Sequence, residues 1–264
     1  MLPWYRPQLP PGDRAPHPGL LFDRFCDQWD RSGVLEGPQK RKFLESVCEA
    51  YGRARSSLGG ALARARARRE RLVQALAGRL VAFTTSSRLV TGLGMTHVLE
   101  TGFVWHPTLG VPYLPGSSVK GLVRALWDPA NGWAFPTPGG AGADGAQIER
   151  LFGGEEIGVG SLVVLDALPT EPPGVEQDIM NVHYKNYYQD GTPPADYSKP
   201  NLVYFLAVKA GSRFEFGLAP RPGTEPALGS APDDLEKAER LLRLALEVLG
   251  AGAKTAVGYG RLRA

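Results

Sequence analysis

The chain has 264 residues, 43% of them hydrophobic and five of them Trp, enough to bury a core, and 30 basic against 27 acidic side chains leave a net charge of only +3. No run of 18 apolar residues occurs and the opening Met1-Leu2-Pro3-Trp4-Tyr5 lacks the apolar region of a secretory signal, so a membrane span is not expected and a cytoplasmic protein is. Cys26 and Cys48 stand alone without C-x-x-C spacing, which suggests neither a zinc site nor a disulfide scaffold but two free thiols.

Residues 1–19, with six prolines, predict an irregular lead-in. Apolar residues then recur at helical spacing over 20–29 (Leu21, Phe22, Phe25, Trp29) and 39–51 (Phe43, Leu44, Val47), predicting two short helices joined by a turn at Gly33 and Gly37-Pro38. Residues 61–78, rich in Ala, Leu and Arg, predict a further helix. The charge of the chain is concentrated there: from Arg53 to Arg79 eight arginines stand against one glutamate. Arg64, Arg68 and Arg71 share one helix face, while Arg66 and Arg69 lie away from it. Such a helix is either a solvated exterior or a surface facing phosphate or a partner.

Residues 80–86 predict a strand, and 88–113, rich in Gly, Thr and aromatics, predict irregular hairpins. After Pro115-Gly116, a helix is expected to start at Ser117 or Ser118 with Val119, Leu122, Val123 and Leu126 as its core stripe. Lys120 and Arg124 lie beside that stripe, and a helix start with a lysine in its first turn suits an anion. Residues 129–160 read as an insertion with a mobile glycine run at Gly139-Gly140-Ala141-Gly142. Asp166 closes a buried strand over 161–166, as a catalytic carboxylate or, more ordinarily, one tied to neighbouring backbone. The excursion 167–201 holds His183, Tyr184, Lys185, Tyr187 and Tyr188, aromatics that either stack on unpaired bases or tuck onto their own domain. Residues 202–209 and 212–218 predict a hairpin joined at Ala210-Gly211, followed by a helix from Pro232-Asp233-Asp234 and a last strand over 257–262.

Between that helix and that strand runs the glycine-rich stretch 250–260. Glycines leave N–H groups uncovered, and successive N–H groups form a nest for phosphate oxygens, to which Lys254 adds a cation and Thr255 a hydroxyl. Ala253 before the lysine, and a helix before the loop rather than after it, argue against a nucleotide-binding P-loop, and the ordinary alternative to a nest is a helix C-cap at Gly250 followed by a flexible turn.

The segments 111–127 and 250–260 together resemble the two signatures of the RAMP superfamily, the ferredoxin-like RNA-binding subunits of CRISPR effector complexes. The resemblance continues through Thr91-Gly92-Leu93-Gly94, Glu100-Thr101-Gly102-Phe103 and Asp178-Ile179-Met180-Asn181, and it is to the sixth-subunit family of the type III-B (Cmr) complex. It implies an α+β chain: a ferredoxin-like RAMP domain over 79–264, with insertions at about 129–160 and 167–201, behind an N-terminal helical extension over 1–78. Related subunits carry a protruding thumb where 167–201 lies. The implied function is a non-catalytic subunit without metal or cofactor that binds the guide RNA (crRNA) and caps the complex near the guide 3′ end. Its partners would be other Cmr subunits and, through the assembled complex, target RNA, with no membrane.

Such a subunit must serve guides of any sequence and should grip phosphate and sugar. Gly116, Ser117, Ser118, Lys120 and Arg124 would form one side of the RNA site. Gly252, Lys254, Thr255, Gly258 and Tyr259 would form the other, provided the fold brings the two loops together. Bulk at Gly252 or Gly258 is then expected to weaken RNA binding while stability stays near wild type. Two rivals remain at this stage: a metal-independent endoribonuclease using His97, His106 or His183, and a scaffold that touches only proteins.

Overall fold

The computed structural model describes residues 17–30, 35–128, 133–136, 144–154, 158–182, 201–223 and 234–264. Helix α1 spans Pro18–Arg24, with the His17 side chain accepting the Leu20 N–H. Helix α2 then runs unbroken over Gly37–Ala75, 39 residues where the sequence predicts two helices and a gap between them. A capping box between Glu36 and Gln39 starts it. Gly52, Gly59 and Gly60 each cost about 1 kcal/mol against alanine in a helix interior. The buried row Phe43, Leu44, Val47, Ala50, Tyr51 and Ala54, resumed at Leu62, Arg69 and Val73, outweighs them by clamping both halves to the body of the protein. The first of the predicted helices is shorter than expected and ends at Arg24.

Behind α2 lies a four-stranded sheet. Strands β1 (Arg79–Thr85), β4 (Leu162–Pro169), β7 (Arg213–Pro220) and β8 (Leu262–Arg263) lie in the order β4-β7-β1-β8, every pair antiparallel. Phe83 pairs with Phe214 across the register, and its ring meets Phe216 edge-on at 5.5 Å. Helices α3 (Gly116–Arg124) and α5 (Asp234–Leu244) supply further core residues, among them Val119, Val123, Ala238 and Leu242. Phe43, Leu44, Val47 and Tyr51 of α2 belong to that same core cluster.

Three expectations are corrected here. Residues 202–209 and 212–218 do not pair with each other. Strand β6 (Asn201–Val208) pairs instead with β5 (Val175–Val182) in a separate two-stranded sheet, while β7 goes to the main sheet. The turn between them is captured by β1: Gly211 N–H donates to the Thr85 carbonyl at 2.7 Å, and Ser212 N–H to Thr85 Oγ1 at 2.9 Å. Alternation in 213–216 is thus satisfied by a different neighbour. Next, 129–160 is not all loop. It contains β3 (Trp133–Ala134), which pairs with β2 (Trp127–Asp128) just before it, and helix α4 (Gly145–Phe152) with Ile148, Leu151 and Phe152 buried. The Gly139–Gly142 run lies outside the described residues. Finally, the last strand is only Leu262–Arg263, because Gly258 and Gly260 adopt positive φ and break extended backbone.

Strand β5 lies within the 167–201 excursion, and its partner β6 begins at the last residue of it. His183, Tyr184, Lys185, Tyr187 and Tyr188, which were expected to stack on bases or tuck inward, lie outside the described residues. Cys26 is buried, Cys48 is half-buried, and both are free thiols. No helix among the described residues is long and apolar enough to cross a membrane.

Candidate nucleic-acid interface

The glycine stretch 250–260 leaves the core through a π-helical turn, Ala245–Leu249, and folds back along the residues that follow β1. Backbone bonds fix its two flanks. Ala251 N–H donates to the Gly260 carbonyl at 2.8 Å, Ala253 N–H to that of Val90 and Gly260 N–H to that of Arg88, both at 2.7 Å. Positive φ at Gly250, Gly252, Lys254, Gly258 and Gly260 is what lets the chain double back in so few residues. Between the flanks stands a short 3-10 turn, Thr255–Val257. Among the described residues, the N–H groups of Gly252, Lys254, Thr255 and Ala256 donate to no protein acceptor. Three of them are consecutive.

Lys254 sits at the base of this turn with no carboxylate partner among the described residues. Its Nζ lies 5.6 Å from the centre of the Phe205 ring and 5.8 Å from that of Tyr259, within cation–π reach of both. Tyr259 is held in place: its hydroxyl donates to Asp178 Oδ2 at 2.6 Å, and its ring tilts against Phe205. Arg88 Nη1 reaches the same Asp178 oxygen at 2.8 Å, and Arg88 Nε reaches Glu176 at 2.6 Å. Lys209 adds a longer contact to Glu176 at 3.8 Å. The two carboxylates nearest the loop are thereby matched by cations and do not oppose an anion as bare charges. An open pocket of about 240 Å³, lined by Ser87, Arg88, Val257, Gly258 and Tyr259, adjoins the turn.

Helix α3 begins one residue earlier than expected, at Gly116, with Pro115 as its cap position. The cap comes from another strand. The pairing of β4 with β7 slips by one residue between Leu165 and Leu168, and Asp166 in that bulge accepts the Gly116 N–H at 2.7 Å. This is the tied carboxylate foreseen as the ordinary reading of Asp166, and it occupies one donor of the helix start. Gly116 is also where backbone meets backbone, since a side chain there would overlap the Val164 carbonyl. Ser117, Ser118 and Arg124 are exposed, and Lys120 is half-buried. Burial, then repulsion from Arg221 and Arg124, holds the Lys120 ammonium below its usual pKa, so these three cations form one neighbourhood. Arg221, whose Nε donates to the Gly160 carbonyl, follows β7 as an unremarkable Pro-Arg-Pro and had no sequence signal.

The two candidate segments are tied to opposite edges of the main sheet. Helix α3 starts on β4, one outer strand of the main sheet, whereas the glycine stretch leads into β8, the other. Three strand spacings of about 4.8 Å put those edges roughly 14 Å apart. No hydrogen bond or ion pair among the described residues joins them. Helix α3 packs against α5 and against the π-helical turn that leads into the glycine stretch.

The histidines considered for catalysis have structural surroundings. His97 stacks on Phe22 at 4.1 Å and 3°, with Nε2 at 3.0 Å from the Phe22 carbonyl and Nδ1 accepting the Leu99 N–H. His106 Nδ1 accepts the N–H groups of Thr108 and Leu109. Burial lowers the pKa of both rings, favouring the neutral forms that such bonds require. His183 lies outside the described residues.

The RAMP superfamily model matches residues 82–263. A CRISPR system Cmr subunit Cmr6 from Pyrococcus furiosus is 33% identical over 68% of this chain and 66% of its own length, so the match spans just under two thirds of that relative. The Cmr6 of Saccharolobus solfataricus is 24% identical over 90% of this chain and 69% of its own length. A chain of the type III-B Cmr-beta complex, solved by electron cryomicroscopy with cognate target RNA, shares the fold. It has a TM-score of 0.58 at 20% identity, covering 87% of this chain and 76% of that one. Matched over more than half its length by the family model, and similar to sixth subunits of Cmr systems, this chain belongs to the RAMP superfamily.

Proposed function

We propose that this chain is a non-catalytic subunit of a type III-B (Cmr) CRISPR ribonucleoprotein that grips guide RNA by its phosphate backbone. The observation that carries the reading is the turn at 254–256, where among the described residues three consecutive N–H groups find no protein acceptor and stand beside a lysine with no carboxylate partner. That arrangement offers hydrogen bonds and charge to a phosphate and reads no base. Its Cmr6 relatives and the Cmr complex supply the class of assembly. The core supports a ferredoxin-like reading of residues 79–264: in chain order β1, α3, β4, β7, α5 and β8 run βαββαβ with the first and third strands central. In this reading α1 and α2 are an N-terminal helical extension laid over that domain, the β5–β6 arms carry a thumb, and the subunit caps the assembly near the guide 3′ end. Target RNA and the other Cmr subunits are then met within the assembled complex.

Because the two edges are separate, Lys120 and Lys254 would meet different phosphates. Single strands lose about 0.7 in log–log salt slope for each phosphate contact removed. Lys254→Gln and Lys120→Gln should therefore each weaken binding to RNA of any sequence and flatten the slope by about 0.7, and the double variant by about 1.4. Fluorescence anisotropy across a salt series with two unrelated single strands measures this. Loss confined to one sequence, or an unchanged slope in the Lys254→Gln protein, would remove backbone gripping at the turn.

The engagement of His97 and His106 favours the non-catalytic form of the proposal. Purified protein should leave labelled RNA intact with or without Mg²⁺. Cleavage that disappears in His97→Ala, His106→Ala or His183→Ala would replace the proposal with a nuclease.

A further inference from the structure

The arginines of helix α2 divide into two sets. Arg55 donates to the Pro172 carbonyl, Arg66 to that of Thr170 and to Glu215, and Arg69, which is buried, to the Glu215 carbonyl. Arg53 lies 3.9 Å from Glu49. Arg64, Arg68 and Arg71 are different: all are exposed, and none has a hydrogen bond or ion pair among the described residues. At 3.6 residues per turn they fall within about 60° of arc, opposite the buried side chains Leu62, Arg69 and Val73. Glu70, the one acid of the segment, pairs with none of them.

We propose that this outer face of α2 is a second contact for the phosphate backbone of a single-stranded nucleic acid. It goes beyond the glycine-turn reading, since it lies on another element and outside residues 82–263 that match the family model. Charge complementarity is the first argument: three delocalised, permanently charged guanidiniums in a row suit phosphate, which each can contact through two parallel N–H donors. Shape is the second. Beside the arginines on this face the exposed positions Gly60, Ala67 and Ala75 are small, and the longer exposed side chains Leu72, Gln74 and Glu70 stand at its margins or beyond. Length is the third: from residue 64 to 71 the helix rises roughly 10 Å, about three nucleotides of a stacked strand at ~3.4 Å each. A protein partner would need an apolar or aromatic anchor at the centre of its contact. The face offers Leu72 alone, at 49% exposure, on its margin.

The test uses the full chain with Arg64, Arg68 and Arg71 all changed to Gln, and 20-mers of U and of dT as probes, by anisotropy across a salt series. The variant should melt like the wild type, because the three side chains support nothing. Its RNA salt slope should flatten by about 2, at ~0.7 per phosphate, with affinity at low salt falling at least tenfold. The single change Arg68→Gln, expected to flatten the slope by about 0.7, keeps the test valid if the triple variant folds poorly. Equal losses on U and dT mean a backbone contact blind to the 2′-hydroxyl; a loss on U alone means an RNA contact. Unchanged slopes on both would overturn the proposal, and lost binding to a poly-glutamate peptide with unchanged slopes would assign the face to an acidic protein instead. Lys254→Gln is measured alongside. If it has no effect while the arginine variant does, the glycine-turn reading fails and this one stands; the reverse pattern separates them equally.

Discussion

Arg150→Ala should destabilise the protein by about 3 kcal/mol, the low end of the ~3–5 kcal/mol expected when a buried ion pair loses one partner. Asp234 is fully buried at the start of α5, and both of its oxygens accept from Arg150 on α4, one of them at 2.7 Å. Removing the guanidinium leaves a carboxylate enclosed without its main cation, and its further contacts within the protein place the effect at the low end rather than the high one. For a chain of this size that corresponds to a fall in melting temperature of roughly 6–12 °C. The Arg150→Met, Asp234→Leu double variant should recover much of it, since the buried pair itself contributes little beyond cancelling its own desolvation. A melting temperature within 2 °C of wild type for Arg150→Ala would show that the pair does not fasten α4 to α5.

The sequence made the glycine stretch legible because its chemistry is local: dense glycines beside a lysine, and a helix on the wrong side for a P-loop. Tyr259 was found the same way, although its hydroxyl proves to be held by Asp178, 81 positions upstream. What stayed hidden depended on distant chain. Arg88 looks ordinary in Ser86-Ser87-Arg88, and only the fold shows that it neutralises Glu176 and Asp178 beside the turn. Whether β7 would pair with β6 or with β1 and β4 was not written in the alternation of 213–216, which any antiparallel neighbour satisfies. The capping of α3 by Asp166 required a bulge in a strand 50 residues away. The glycines of α2 read locally as a break, yet the buried row on either side holds the helix straight through them. Its arginines illustrate the same limit. Composition alone gave a charge excess, and the fold sorts it into inward side chains that bind the carbonyls of Thr170, Pro172 and Glu215 and an outward row with no partner among the described residues.

Gly252→Val and Gly258→Val should behave oppositely, against the expectation that both leave stability near wild type. Gly252 has φ +81°, and a side chain there would overlap the Val90 carbonyl, the same oxygen that accepts the Ala253 N–H. Gly260, at φ +71°, would overlap the Ala251 carbonyl in the same manner. Bulk at either position must break the backbone bonds that fix the flanks of the loop, so loss of RNA binding there would report a collapsed loop and nothing about contact. Gly258 also has a positive φ, +94°, but an added Cβ meets no atom within 4 Å. Its cost is conformational strain of order 1–3 kcal/mol, which leaves a protein of this size folded. Gly258 lines the open pocket together with Ser87, Arg88, Val257 and Tyr259, so the added bulk stands in that pocket. RNA affinity should therefore fall at least tenfold in Gly258→Val while the melting temperature drops by roughly 2–12 °C. Gly252→Val should lose several times that stability and show rapid hydrogen exchange at Ala253 and Gly260. Wild-type RNA affinity in a folded Gly258→Val protein would take the turn out of the interface and leave the start of α3 and the arginine face of α2 as the surfaces that meet phosphate.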